Sequence, residues 1–341
     1  MSDRGAPQVS IVIPCFDEEQ TIPRLAAALD DVVAKLEGAG RSTEVLIIDD
    51  GSRDGTFERL RATAATRPWL HLIRFRRNFG QTAAMAAGFE KARGAYLVPM
   101  DADLQNDPDD IPMLLARLEE GFDIVSGWRK NRQDKALSRR LPSKIANWLI
   151  GRVTRVRLHD YGCTLKAYRR EVLEPVRLYG EMHRFIPVYA KWSGARITEQ
   201  VVRHHPRKEG KSKYGLARTL KVLLDLMTVK FLGDYSTKPL YLFGFWGVLF
   251  IFGGTLSGIV TLFEKFMSPG VYAHRNPLLL LAVMLFVVGI QLIGMGLLAE
   301  LLVRTYHESQ SKPVYLIAEE VNAPAEVPPA PRSILPVPRR G

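Results

Sequence analysis

Two apolar runs near the carboxyl end constrain this chain more than any other feature. "PLYLFGFWGVLFIFGGTLSGIVTLF" (239–263) and "NPLLLLAVMLFVVGIQLIGMGLLA" (276–299) contain no charged residue. Each exceeds the ~20 residues an α-helix needs to cross a hydrocarbon layer. The competing reading is a pair of helices buried in a soluble core, which rarely stay uncharged over this length. Glycines scattered through both runs suit close packing of helices in lipid. Lys221, Lys230 and Lys238 precede the first run and Arg304 and Lys312 follow the second, whereas the connecting "EKFMSPGVYAHR" holds only Lys265 and Arg275. That asymmetry predicts a hairpin with both ends on the cytoplasmic side of a cytoplasmic (inner) membrane. The start, "MSDRGAPQVS", has no basic-then-apolar leader, so the first two-thirds of the chain are expected to stay in the cytoplasm.

The expected organisation follows. A cytoplasmic domain occupies 1–213. An amphipathic juxtamembrane helix occupies 214–238, with Arg218, Lys221 and Asp225 on one face. Spans over 239–263 and 276–300 flank a short extracytoplasmic loop, 264–275. A cytoplasmic tail covers 301–341, proline-rich and expected to be disordered from about 322 ("APAEVPPAPRSILPVPRRG").

Within the first domain, "QVSIVIPCF" (8–16), "EVLIIDDGS" (44–52), "LHLIRF" (70–75) and "AYLVPMDAD" (95–103) read as strands. Helical spacing falls at about 20–37 and 81–92. Near-continuous apolar strands alternating with helices predict an α/β fold, doubly wound around a mostly parallel sheet covered on both faces. In such sheets ligands bind beyond the carboxyl ends of the strands. "PCFDEE", "DDGSRDGT" and "DADLQ" all fall there. A net charge of +11 suggests an anionic partner. The charge is concentrated over 128–170 and 203–215. The two cysteines, Cys15 and Cys163, form neither a disulfide framework nor a zinc pattern, which fits a reducing compartment.

"YLVPMDADLQNDP" (96–108) ends an apolar run in alternating acids, and an extended chain would bring Asp101, Asp103 and Gln105 onto one face. A helix-loop-helix calcium loop would need Gly at the sixth position and Glu at the twelfth; counted from Asp101 these are Asn106 and Pro112. A glycosidase pair would flank its sugar across a cleft, which adjacent acids on one strand end suit poorly. The remaining chemical reading is a divalent cation on hard oxygen ligands, its shell completed by a diphosphate. Against it stands the plain alternative of solvated strand-end acids. "IIDDGSRDGT" offers a carboxylate to a base or ribose, although Ser52 or Asp54 could equally cap the next helix. No glycine-rich phosphate loop of either common kind is present, which leaves a metal to hold the phosphate. Lys130, Arg132, Arg152, Arg157, His204 and His205 read as solvated surface.

Taken in order, "VSIVIPCFDEE", "EVLIIDDGSRDGT", "RRNFGQTAAMAAGF", "DADLQNDP", "VSGWR", "LPSKIANWLI", "DYGCTLKAYRR" and "PRKEGKSKYG" resemble the inverting family 2 glycosyltransferases of the GT-A fold. They are most similar to the polyprenyl-phosphate branch, with its dolichyl-phosphate mannose synthases, bactoprenol glucosyltransferases and undecaprenyl-phosphate aminoarabinose transferases. The resemblance covers about 8–235 and extends to the paired spans. It implies a nucleotide-sugar donor, a polyprenyl-phosphate acceptor, Mg²⁺ or Mn²⁺, and a catalytic role for Asp101, Asp103, Arg129 and Asp160. Pro14, Phe16 and Glu18 would line the nucleotide pocket, although many relatives carry tyrosine where Phe16 stands. Asp50 would contact the base, and Arg207 and Lys213 would close over the donor. Asp101 would lie beside the diphosphate while Asp103 and Gln105 ligate the metal. Arg129 would bridge donor and acceptor phosphates, with Arg139, Ser143 and Ser212 also reaching the acceptor phosphate.

A UDP-glucose-like donor is the expected one, with GDP-mannose as the alternative. A processive polysaccharide synthase would carry Q-x-x-R-W and more spans, and the sequence has neither. From another class, a non-catalytic nucleotide-binding membrane scaffold acting through its proline-rich tail remains a rival. Nucleic acid is not an expected partner, because the basic stretches carry no reading motif. A homo-oligomer is expected, of open order.

Overall fold

The computed structural model describes residues 6–130, 150–152, 154–174, 176, 182–192, 194–206, 239–267, 276–309 and 315–323. The chain opens with β1 (Val9–Cys15), α1 (Ile22–Gly38), β2 (Thr43–Asp49), α2 (Thr56–Ala64), β3 (Leu70–Phe75), α3 (Gln81–Lys91) and β4 (Tyr96–Pro99). It continues through α4 (Ile111–Glu119), β5 (Ile124–Trp128), β6 (Lys166–Arg169), α5 (Arg170–Leu173), α6 (Ile186–Trp192) and β7 (Ile197–Val201). Two long helices, α7 (Pro239–Met267) and α8 (Pro277–Ser309), precede a last strand, β8 (Ile317–Val321).

All seven residues of β1 and of β2 are buried. Alternate side chains point to opposite faces of a sheet, so each strand feeds two cores. Val9, Ile11 and Ile13 join Leu25, Leu29, Phe57, Leu114 and Leu118 on one face. Val12, Leu46 and Ile48 join Ala84, Met85, Ala87, Ile186 and Ala190 on the other. This double burial is why the strands read as unbroken apolar runs. On the second face α3 comes close to the sheet because Gly88 has no side chain: a Cβ there would stand 2.2 Å from Val12 Cγ1.

The sheet runs β7-β5-β6-β4-β1-β2-β3-β8. β1, β2, β3 and β4 are parallel, as are β5 and β7; β6 is antiparallel to both β4 and β5, and β8 is antiparallel to β3. One edge therefore collects the carboxyl ends of β1–β5 and β7 and the amino ends of β6 and β8. Two differences from the sequence reading matter. β4 stops at Pro99, so the alternating acids lie on a turn rather than on a strand. β8, just ahead of the stretch expected to be disordered from about 322, is a strand absent from the sequence reading, and it completes the sheet.

α7 and α8 pack against each other through glycines: a Cβ on Gly247 would stand 2.7 Å from the Gly289 carbonyl oxygen, and one on Gly289 the same distance from that of Gly247. Both are long and apolar enough to cross a membrane, and only 17% and 11% of their most apolar windows are buried. Their outer faces are therefore not those of core helices. α8 continues ten residues beyond its apolar segment, Pro277–Ala299, to Ser309.

Candidate active site

The crevice opens where β1 and β4 part. Val12 O accepts from Met100 N, the last bond between them. Backbone groups two residues apart point the same way, so Pro14, which has no N–H to donate, faces β4 just as that strand ends at Pro99. Pro14 itself is buried in β1 opposite Ile48. The chain beyond β1 is laced to the turn after β2. Asp17 N donates to Ser52 Oγ (2.9 Å), Glu18 N to Thr56 Oγ1 (2.9 Å) and Arg53 N to Asp17 Oδ1 (2.9 Å). Phe16 and Glu18 are half-buried in this lacing, and Glu18 Oε2 accepts from Thr21 Oγ1 at 3.0 Å. Of the two capping candidates, Asp54 accepts from Thr56 N (3.1 Å), whereas Ser52 serves the β1 loop.

Asp50 faces inward. Its carboxylate accepts from Phe79 N (2.7 Å) and Gly80 N (2.9 Å), fixing the 76–80 loop against the β2 turn. Burial pushes its carboxyl up to about 6, even though both amides favour the ionised form. Gly51 next to it has φ +71°, and a Cβ there would come within 2.5 Å of the Arg77 backbone. Asp50 thus builds the wall of the crevice in addition to whatever it offers a ligand.

Asp101 is held from both sides: Gln81 Nε2 donates to Oδ1 (2.8 Å) and Thr164 Oγ1 to Oδ2 (2.8 Å). Asp103 accepts from Gln105 N at 3.1 Å across a turn in which Leu104 has φ 55°. Asp103 also lines a groove of about 230 Å³ with Thr21, Arg24, Asp107, His205 and Pro206. Among the described residues no three acidic, His or Cys side chains gather tightly enough to hold a metal alone. A carboxylate and a neighbouring amide oxygen fit a cation that takes the rest of its shell from phosphate and water.

Arg129, just past β5, forms a two-pronged pair with Asp160: Nε to Oδ2 at 2.7 Å and Nη2 to Oδ1 at 3.0 Å. Their side chains are 11% and 4% exposed. Asp160 also accepts from Gly162 N (3.1 Å), so it holds the turn that delivers Thr164 to Asp101. Beneath that turn lies Lys166, buried, its amine donating to the carbonyls of Tyr161 and Cys163. Burial holds the Lys166 amine below its ordinary value.

The segment leaving β7 is tied to the same loop. Arg203 pairs with Asp110 (2.8 Å) and Asp107 (3.0 Å), His205 N donates to Gln105 O (2.9 Å), and His205 Nε2 lies 3.1 Å from Asp107. Exposed Lys130, Arg152 and Arg157 match the solvated reading, and His205 is a surface group at the groove. Arg132, Arg139, Ser143, Arg207, Ser212, Lys213 and the juxtamembrane helix lie outside the described residues. Gln81, Thr164 and Lys166 went unread in the sequence: the first two meet Asp101 only through the fold, and Lys166 bonds backbone carbonyls in its own turn, which leaves no motif.

An α/β sheet whose carboxyl edge gathers a D-x-D turn, a D-D-G-S turn and a buried arginine fork defines a nucleotide-sugar transferase fold. The chain belongs to the glycosyltransferase family 2, whose model matches residues 10–177. It is 41% identical over 319 residues to the dodecaprenyl-phosphate galacturonate synthase of Rhizobium johnstonii, covering 92% of each chain. It is 38% identical to the undecaprenyl-phosphate 4-deoxy-4-formamido-L-arabinose transferase of Pseudomonas paraeruginosa, covering 94% of this chain and 93% of that one. In fold it is similar to the glucosyl-3-phosphoglycerate synthase of Mycobacterium tuberculosis, solved with Mg²⁺ and UDP, at a TM-score of 0.50 and 17% identity, covering 65% and 79% of the two chains.

Proposed function

We propose that this protein transfers a sugar from a nucleotide-sugar to a polyprenyl phosphate at the cytoplasmic face of a membrane, with inversion at the anomeric carbon. The observation that carries the reading is a convergence on one edge. The D-x-D turn, the Arg129–Asp160 fork, the end of β7 and the start of β8 lie at the carboxyl edge of the sheet. The relatives named above supply the acceptor class. Because β7 and β8 share a sheet on either side of the hairpin, both ends of the hairpin belong on the catalytic side.

The acceptor phosphate is already ionised near neutral pH, so its oxygen attacks the anomeric carbon without a strong general base. A carbon–oxygen bond forms on one face of the sugar as the bond to the nucleoside diphosphate breaks on the other. Arg129, kept charged and oriented by Asp160, screens the two phosphates from each other. Asp101, clamped by Gln81 and Thr164, borders the diphosphate. Asp103 and Gln105 would hold Mg²⁺ or Mn²⁺, which supplies charge neutralisation to the leaving group. The basic segment that includes Arg207, Ser212 and Lys213, and the Arg139–Ser143 stretch, complete the phosphate contacts in this reading.

The donor is a nucleotide-linked hexose or modified sugar. UDP-glucose and GDP-mannose stand beside nucleotide-linked galacturonate and 4-deoxy-4-formamido-L-arabinose, the sugars in the relatives' names. The test incubates the protein in liposomes containing undecaprenyl phosphate with each labelled donor, with and without EDTA. Lipid-linked sugar from one donor, lost with EDTA, is expected. A folded protein that forms none from any donor would favour the non-catalytic scaffold.

A further inference from the structure

We propose that β8 is a clasp: together with the segment after β7, it hangs the catalytic sheet from the membrane hairpin by its two outermost strands, so that the crevice faces the bilayer. The inference rests on the polyprenyl-phosphate reading above.

β7 and β8 occupy opposite ends of the eight-stranded sheet. Seven inter-strand steps of ~4.8 Å separate them by roughly 34 Å. Val201, the last residue of β7, stands opposite Trp128 at the carboxyl edge. β8 runs the other way, Ile317 opposite Phe75 and Val321 opposite Leu72, so it enters at that same edge. The chain therefore leaves for the hairpin at one side of the crevice and returns from it at the other. The two connections differ in reach. Residues 207–238 separate Pro206 from α7, but only 310–314 separate Ser309 from Tyr315. A link that short spans at most ~20 Å. β8 is thus the short tether.

Its attachment goes beyond the backbone ladder of an edge strand. Tyr315 is 7% exposed, donates to Glu90 Oε2 at 2.6 Å and stacks on Phe75 with centroids 5.1 Å apart. Glu320 pairs with Lys91 at 2.9 Å, and Glu319 pairs with Arg61. At the far end Asn322 donates to Ala64 O (3.1 Å) and Leu70 O (3.0 Å), while its own carbonyl meets His71. These side chains fix the register, which an antiparallel edge pair alone leaves free to slip. A domain on one long tether can tilt and lift away from the surface. A second, short tether on the opposite strand restricts both motions and keeps the crevice at the height of a membrane-bound phosphate, raising its effective concentration there.

The test compares the full-length wild type with a Tyr315→Ala, Glu320→Lys, Asn322→Ala variant in liposomes. Each is assayed with undecaprenyl phosphate in the bilayer and with a short water-soluble polyprenyl phosphate. The expected result is a KM for the bilayer acceptor at least fivefold higher, with the donor KM and the kcat on the soluble acceptor within twofold of wild type. Adding Arg74→Cys and Glu319→Cys and oxidising should close an intrachain disulfide that returns the bilayer KM toward wild type. Equal losses on both acceptors would make β8 a stabilising strand only, and no change on either would make it idle. A disulfide joining two chains would mean that the strand is donated between copies. Each of these overturns the clasp while leaving the transfer reading intact. A wild type inactive on both acceptors would overturn the transfer reading, and the clasp with it.

Discussion

Three carboxylates at the crevice mouth lead to three different expectations. Asp160 neutralises a guanidinium that has almost no access to water. Removing one partner of a buried pair strands the other, at a cost of about 3–5 kcal/mol. Asp160→Ala should therefore lower unfolding free energy in urea by several kcal/mol as well as abolish transfer; unchanged stability would refute the structural share of its role. Asp103 sits on a half-buried turn and accepts from Gln105 N, a bond that an asparagine Oδ1 can keep, so Asp103→Asn should lose nearly all transfer with little change in stability. Normal turnover by that variant would rule out the metal assignment. Asp50 gives a pH signature. Its folded-state value of about 6 lies above the ordinary 3.8, so the folded protein binds the extra proton between those values. Stability from this group is greatest below about pH 4 and declines as pH rises through about 6, by roughly 3 kcal/mol at 1.36 kcal/mol per unit. Urea titrations of wild type and Asp50→Asn from pH 4.5 to 7.5 should converge at the acid end; parallel curves would contradict it. At this scale the sequence shows Asp101, Asp103, Arg129 and Asp160 as ordered motifs. It does not show that Gln81 and Thr164, 20 and 63 residues from Asp101, clamp it.

Among elements, legibility follows burial. β1, β2 and β3 are buried on both faces and are readable as apolar runs to within a residue or two, except at the carboxyl end of β2. The D-x-D stretch misleads by continuing the apolar rhythm past Pro99, where the strand has ended and an Asx-type turn at Asp103 sets the geometry. β8 is hidden for the opposite reason. "IAEEV" carries two glutamates whose partners, Arg61 and Lys91, are contributed by distant helices, and its ladder to β3 leaves no period in the sequence. The α3–β1 contact yields a prediction at this level. Gly88 lets the helix that carries Gln81 and Thr82 sit on Val12 and Ile48. Gly88→Ala places a methyl where Val12 already stands, and overpacking of this kind costs about 1–3 kcal/mol. The helix should be pushed outward, Gln81 drawn off Asp101, and both melting temperature and donor affinity reduced. A variant with wild-type melting and donor KM would show that the sheet yields without moving α3.

For the whole molecule, the hairpin was the most legible unit and its assembly the least. α7 and α8 pack on each other through glycines, yet a polar side chain within the apolar segment of α8 faces outward. Gln291 lies well within the apolar segment Pro277–Ala299, is exposed, and has no hydrogen-bond partner among the described residues. An amide in hydrocarbon has no water to turn to, so such groups usually face another helix. Its face continues through exposed Val287 and Leu298 and through Gly294, where a Cβ would meet nothing within 4 Å, which is room for close approach. A glutamine amide both donates and accepts, and is therefore complementary to its own copy. The homo-oligomer expected from the sequence would then have its membrane contact on α8. An interhelical amide bond in lipid is worth about 1–2 kcal/mol in model helices, or roughly a 5–30-fold change in association. Gln291→Leu keeps the helix apolar and removes only that bond. Light scattering of the purified protein across a dilution series should show the variant dissociating at a several-fold higher concentration than wild type, with turnover per folded chain retained in liposomes. Identical dissociation curves would move the contact elsewhere on the hairpin or off the membrane altogether.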